Sequence, residues 1–121
     1  MNIEKIKGYT CPVEAAMDVI GGKYQAQIVY ELLDGTKRYH EIQRALPQAT
    51  PRMLSKQLKE LEEDGVVRRV LYPVVPPKTE YSLTEFGQSL VPIVRALCSW
   101  GEHYFELAGV PIPGGDDAPK T

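Results

Sequence analysis

The chain has 121 residues, 43% of them hydrophobic and 25% charged, with a formal net charge of -2. That length suits one domain around one core, and the composition excludes a wholly disordered or collagen-like polymer. The small overall charge does not announce a polyanionic partner, so any such partner has to be read from how the charges are distributed.

In chain order, the first periodic segment sets Val13, Ala16, Met17 and Ile20 at i, i+3, i+4 and i+7, the apolar stripe of a short helix. Pro12 falls in its first turn and Gly21-Gly22 end it. A second helix is expected from about Tyr24 to Leu33, striped by Tyr24, Ile28 and Leu32 with Val29 and Leu33 beside them, and stopped by Asp34-Gly35. Lys37-Arg38-Tyr39 is a short extended candidate; Tyr39, Ile42 and Leu46 then mark a brief third helix that Pro47 closes. The sharpest boundary follows. Thr50 can accept from orphan backbone amides as an N-cap, Pro51 lacks only a donor the first helical position would not use, and the helix runs to Asp64 before Gly65.

Beyond Gly65, Val66–Tyr72 is β-branched and aromatic, Pro73–Lys78 is a proline-rich tip, and Thr79–Leu83 is extended again, which reads as a β-hairpin. Thr84 then caps a final helix of about 23 residues at helical period, with Phe86, Leu90, Ile93, Val94, Leu97, Trp100, Tyr104 and Phe105 as its apolar positions and a kink expected at Pro92. The order helix, helix, short strand, helix, helix, strand, strand, helix is that of a winged helix-turn-helix domain, mainly α with a small β-hairpin wing and an added helix at each end. The domain is expected over residues 1–108, with a flexible tail over 109–121 that includes PIPGGDDAPKT.

Between Lys37 and Lys78 nine basic residues face five acids, a local charge of +4 in a chain of net -2. On the helix that starts at Pro51, Leu54, Leu58 and Leu61 fall within about 60° of one another while Arg52, Ser55, Lys56 and Lys59 fall on the opposite side, counting 100° per residue. Glu60, Glu62, Glu63 and Asp64 crowd its last turns. Base early and acid late opposes the helix macrodipole, at a cost of about 0.3–1 kcal/mol per misplaced charge, which a helix whose start meets phosphate recovers. Double-stranded DNA is therefore the expected partner. Its candidate contacts are Thr50, Pro51, Arg52, Ser55, Lys56 and Lys59, with Lys37 and Arg38 before the helix and Pro77 and Lys78 on the wing. Arg68 and Arg69 point to opposite faces of their strand, so only one can join Lys78.

Other chemistries find little support. Cys11 and Cys98 form no C-x-x-C pair, and His40 and His103 are scattered, so no disulfide framework, metal site or cofactor is expected. No nucleophile-base motif, phosphate loop or carboxylate pair is present, so the chain is not expected to be an enzyme. No apolar run approaches the ~18 residues of a membrane span, and MNIEKIKGYT has no apolar h-region, which leads to an expectation of a cytoplasmic protein with no membrane partner. A winged helix used only for protein contacts is the stronger alternative, and a thiol-redox protein the weaker. The former predicts a recognition face without net positive charge, unlike Arg52, Lys56 and Lys59. Cys11, just before Pro12, lies at the positive end of its helix in a setting that favours a thiolate, opposed by Glu14 one turn on. Cys98 reads as a packing or dimer contact.

The chain resembles the HxlR-type regulators of bacteria and archaea. The likeness rests on Cys11-Pro12-Val13-Glu14, Asp18-Val19-Ile20-Gly21-Gly22-Lys23, Glu31-Leu32-Leu33-Asp34-Gly35, Arg38-Tyr39-His40-Glu41-Ile42 and Leu54-Ser55-Lys56-Gln57-Leu58-Lys59-Glu60-Leu61-Glu62. Tyr72-Pro73, Pro76-Pro77, Glu80-Tyr81-Ser82-Leu83-Thr84, Gly87 and Trp100 complete it. Tyr24, Tyr39 and Ile42 depart from the commoner Trp, Phe and Leu. The resemblance implies a homodimer built from the first and last helices, here involving Ile3, Ile6, Leu97, Trp100 and Tyr104, that binds promoter DNA as a repressor or activator. It also implies that Cys11 is a redox or electrophile sensor, as in a subset of that family. No small-molecule effector is singled out. The expected last helix, about 35 Å long at 1.5 Å per residue, gives the dimer a physical motive, because Trp100, Tyr104 and Phe105 near its end need cover. A two-fold partner would set two recognition helices about 34–36 Å apart on a palindromic site; the alternative is that these aromatics fold back on the first helix of their own chain.

Overall fold

The computed structural model describes residues 1–114. Its elements are α1 (Ile3–Lys7), α2 (Pro12–Ile20), α3 (Gln25–Glu31), β1 (Lys37–Arg38), α4 (Tyr39–Ala45), α5 (Pro51–Glu63), β2 (Val67–Tyr72), β3 (Lys78–Leu83), α6 (Glu85–Gln88) and α7 (Val91–Ala108). The three strands form one antiparallel sheet in the order β1-β3-β2. Arg38 pairs with Glu80, and Arg69 with Tyr81. This is a winged helix-turn-helix fold: α4 and α5 are its paired helices, and the β2–β3 hairpin is the wing.

The core gathers the apolar faces of α3, α4 and α5 against the sheet. Ile28, Val29, Ile42, Leu54, Leu61 and Val66 are wholly inaccessible, and Leu32, Leu58, Val67, Tyr81 and Val94 nearly so. Burying a side chain of this kind is worth about 1.5–3 kcal/mol, so α5 is anchored by its leucines rather than by helix propensity. The one long polar side chain that α5 sends inward, Gln57, is satisfied: its Oε1 accepts the Tyr24 amide at 2.8 Å and so caps the start of α3. Gln25 does the same for the Gly22 amide.

Two glycines fix the passage from α5 into the wing. Gly65 adopts φ +78°, and the Gly65 and Val66 amides bond back to Glu62 and Leu61, ending the helix and turning the chain into β2. A Cβ on Gly87 would lie 2.1 Å from the Val66 carbonyl oxygen, so only glycine lets α6 pack there. Thr84 holds this corner, accepting the Gly87 amide and donating to the Gly65 carbonyl.

Several boundaries differ from the sequence expectations. The final helix is not one kinked rod: the chain breaks after Gln88, and Pro92 sits in the first turn of α7. Proline cannot donate to the carbonyl four residues back, so the helix restarts at Val91, with Pro92 in its first turn, instead of bending through it. The 18 residues of α7 span about 27 Å, shorter than the expected 35 Å. The short helix α1 was not anticipated; Asn2 caps it by accepting the Lys5 amide. The tip of the wing is Pro73–Pro77, because Lys78 already belongs to β3. The helix ends at Ala108 with Gly109 as its cap, and the part of the expected tail from residue 115 onward lies outside the described residues.

The stripes of α2 and α7 face largely outward in the protomer. Ile20 is buried, but Val13 and Met17 are 65% and 55% exposed. On α7 only Val94 is fully buried, whereas Ile93, Leu97, Trp100, Tyr104 and Leu107 are exposed. Trp100 and Tyr104 stack on each other, ring centroids 5.8 Å apart and planes 10° from parallel. Ile3 and Ile6 of α1 are exposed as well.

Candidate nucleic-acid interface

Thr50 and Pro51 set the start of α5. The Thr50 hydroxyl accepts the Met53 amide at 3.1 Å, and the proline at the first position leaves no stranded donor. From that start, Arg52, Ser55, Lys56 and Lys59 are all exposed, on the side opposite the buried Leu54, Leu58 and Leu61. The first turn carries no acid and the last no base. Among the described residues, ion pairs within 4.0 Å join Lys7 to Glu4 and Lys37 to Asp34, and none reaches Arg52, Lys56 or Lys59. Arg52, Lys56 and Lys59 therefore present their charges to solvent unneutralised. At the acidic end of the helix, the amino-terminal ammonium of Met1 donates to the Glu63 carbonyl at 3.1 Å, placing a positive charge where the macrodipole favours one.

The other expected contacts are distributed around this face. Arg38 is exposed at the start of α4, and its amide donates to Glu41 at 2.7 Å. That bond holds the Glu41 carboxyl below its ordinary pKa. Lys37 is half-buried and paired with Asp34 at 3.4 Å, which makes it the least free of the cations. On the wing, Lys78 does not extend from the tip: its Nζ lies 4.7 Å from the centroid of the Tyr72 ring, its partner across the last strand pair before the tip loop. The same Tyr72 phenol is pushed above its ordinary pKa by hydrogen bonding to Glu80. Arg69 lies beside Tyr81 and partly offsets the rise that burial imposes on that phenol. Pro77 is exposed, and Val75 at the apex is 99% exposed. Between the wing and the start of α4 lies an open cleft of about 700 Å³, lined by Arg38, His40, Val75 and Lys78 among others.

One contact was missed from the sequence. The Tyr39 hydroxyl lies 3.3 Å from the Pro51 carbonyl oxygen and 3.3 Å from the Ser55 Oγ, tying α4 to the exposed face of α5. Sixteen residues separate Tyr39 from Ser55, so no local periodicity could have signalled it.

The candidate sensor and interface residues lie away from α5. Cys11 is the exposed N-cap of α2 and is a free thiol; Cys98, half-buried on α7, is also free. Glu14 accepts the Thr10 amide at 2.8 Å, so its carboxylate is engaged on the residue preceding Cys11. Nearby, Tyr9 donates to Asp18, which pushes the phenol pKa up to about 12. Among the described residues no group of three or more His, Cys, Asp or Glu is placed to hold a metal ion, and no helix is long and apolar enough to cross a membrane.

Comparison with known proteins agrees with this geometry. YdeP of Bacillus subtilis strain 168, an HTH-type transcriptional regulator, is 52% identical over 94 residues, covering 78% of this chain and 73% of its own length. Among solved structures, the redox regulator HypR in its oxidised form is 55% identical with a TM-score of 0.74, covering 77% of this chain and 96% of that one. Its reduced form is 50% identical with a TM-score of 0.77, covering 82% and 98%. The HxlR-like helix-turn-helix family model matches residues 19–108, from the end of α2 through α7. The chain therefore belongs to the HxlR-like helix-turn-helix family of transcriptional regulators.

Proposed function

We propose that two copies of this chain bind promoter DNA as a homodimer, each laying the amino-terminal half of α5 in a major groove, and that modification of Cys11 switches the complex. The observation that carries this reading is the exposed face of α5. Arg52, Lys56 and Lys59 stand there without ion-pair partners, on a helix fixed from behind by Leu54, Leu58 and Leu61. A major groove about 12 Å wide admits one such helix. Arg38 and Lys78 flank it and can bind the phosphates that set its register. The exposed apolar residues of α1, α2 and α7 favour the dimer, since a lone protomer would leave Trp100, Tyr104, Leu97, Met17 and Val13 in water.

The thiol switch draws support from the exposure of Cys11 and from the likeness to HypR, a redox regulator with oxidised and reduced structures. The protein works in the cytoplasm as a binding protein and not as an enzyme. Substitution divides the labour on DNA. Lys56→Ala or Lys78→Ala weakens binding to all sequences, whereas Arg52→Ala or Ser55→Ala changes which sequence is preferred. Selection of bound fragments from genomic DNA with each variant tests this, and equal effects of all four on specific and random DNA would refute it.

A further inference from the structure

We infer that Tyr39 decides which hydrogen-bonding group Ser55 turns toward DNA, making it a specificity-determining positioning residue. The inference rests on the reading of α5 as the recognition helix. Tyr39 is half-buried, packed against the core, while its hydroxyl emerges beside the exposed face of α5. There it meets two oxygens, the Pro51 carbonyl and the Ser55 Oγ, each at 3.3 Å.

The protons available allow one satisfactory arrangement. A phenol has a single O–H to give, a carbonyl can only accept, and a serine hydroxyl can do either. If Tyr39 donated to Ser55, its oxygen would face the Pro51 carbonyl oxygen with no proton between them, and two like partial charges would repel. If Tyr39 donates to Pro51, its own lone pair accepts the Ser55 proton and both contacts are made. The Ser55 proton is then turned inward, and the side chain offers only lone pairs to the groove.

Base readout follows from that polarity. In the major groove, adenine N6 and cytosine N4 are donors, whereas guanine N7 and O6 and thymine O4 are acceptors. A Ser55 committed as acceptor favours an exocyclic amine and disfavours guanine or thymine at the base it meets. Without the Tyr39 hydroxyl, Ser55 is free to rotate its proton outward, and the distinction fades.

The experiment measures equilibrium binding of full-length protein to the selected operator with all four bases placed in turn at the position whose preference Ser55→Ala flattens. The wild type is expected to prefer the amine-bearing bases there by about three- to tenfold, the range of one neutral hydrogen bond. Tyr39→Phe keeps the ring and should reduce that preference to less than about twofold, leaving affinity for random DNA unchanged and lowering the unfolding midpoint only slightly through the lost bond to the Pro51 carbonyl. The double variant should match Ser55→Ala alone, because the hydroxyl acts only through Ser55. A Tyr39→Phe protein that keeps the wild-type preference, or that loses affinity for every sequence alike as a plain tie between helices would, overturns the inference while leaving Ser55 as a reader. A Ser55→Ala protein with unaltered preference at every position removes Ser55 from readout and the inference with it.

Discussion

Lys56→Ala removes a side chain whose role can be measured through salt. Lys56 is exposed on the second turn of α5 and has no carboxylate within ion-pair distance, although Glu60 lies one turn on. Its loss should leave the fold intact, since Leu54, Leu58 and Leu61 hold the helix from the other side. Each phosphate contact contributes about 0.9 to the slope of log affinity against log salt, so a dimer losing one contact per protomer should have a slope shallower by about 1.8. Between 50 and 200 mM salt, a fourfold range, the wild type should lose about 12-fold more affinity than the variant. Fluorescence anisotropy on a random-sequence duplex across that range gives both slopes. Parallel lines would refute the assignment, for they would mean that Lys56 releases no counterion. Lys37→Ala should change the slope less, because Lys37 already neutralises Asp34 at 3.4 Å.

Three further outcomes are expected. Trp100→Ala should dissociate the dimer in sedimentation equilibrium: the indole is 66% exposed in the protomer, and covering it is worth roughly 3 kcal/mol per protomer, enough to raise the dimer Kd at least about a hundredfold; an unchanged Kd would place the interface elsewhere. Cys11→Ser should bind the operator as the wild type does yet show no response to oxidant or aldehyde; a variant that still responds excludes Cys11 from the switch. The Tyr9 phenol, raised to about 12 by its bond to Asp18, gives a contribution to stability that is present below the ordinary value of 10.0 and lost as pH rises through about 12. Ring-proton NMR should show this titration move back toward the ordinary value in Asp18→Asn, and an unmoved midpoint would rule out that bond as the cause.

The recognition helix was legible because local chemistry specifies both of its ends. Thr50-Pro51 is a cap and a first turn in two residues, Gly65 is the left-handed stop, and the three leucines between them keep one period. The wing was legible for similar reasons, though its cation was placed one residue too far out: the pairing of Lys78 with Tyr72 is a cross-strand contact set by register. Periodicity showed that α2 and α7 each have an apolar stripe but not what covers it, and Val13 and Met17 of that stripe lie in solvent in the protomer. The five-residue α1 is too short to show a period, and the break before Pro92 depends on a restart that a continuous apolar pattern masks. The bond between Tyr39 and Ser55 exists only once α4 and α5 are packed, so it belongs to tertiary structure alone.

On the operator, two α5 helices related by a two-fold axis should occupy successive major grooves. Hydroxyl-radical footprinting of the wild-type protein on its selected operator tests it most directly. Two protected segments of equal extent are expected, related by the operator's dyad and about 34–36 Å apart along the duplex. A single protected segment, or protection indifferent to sequence, would contradict it.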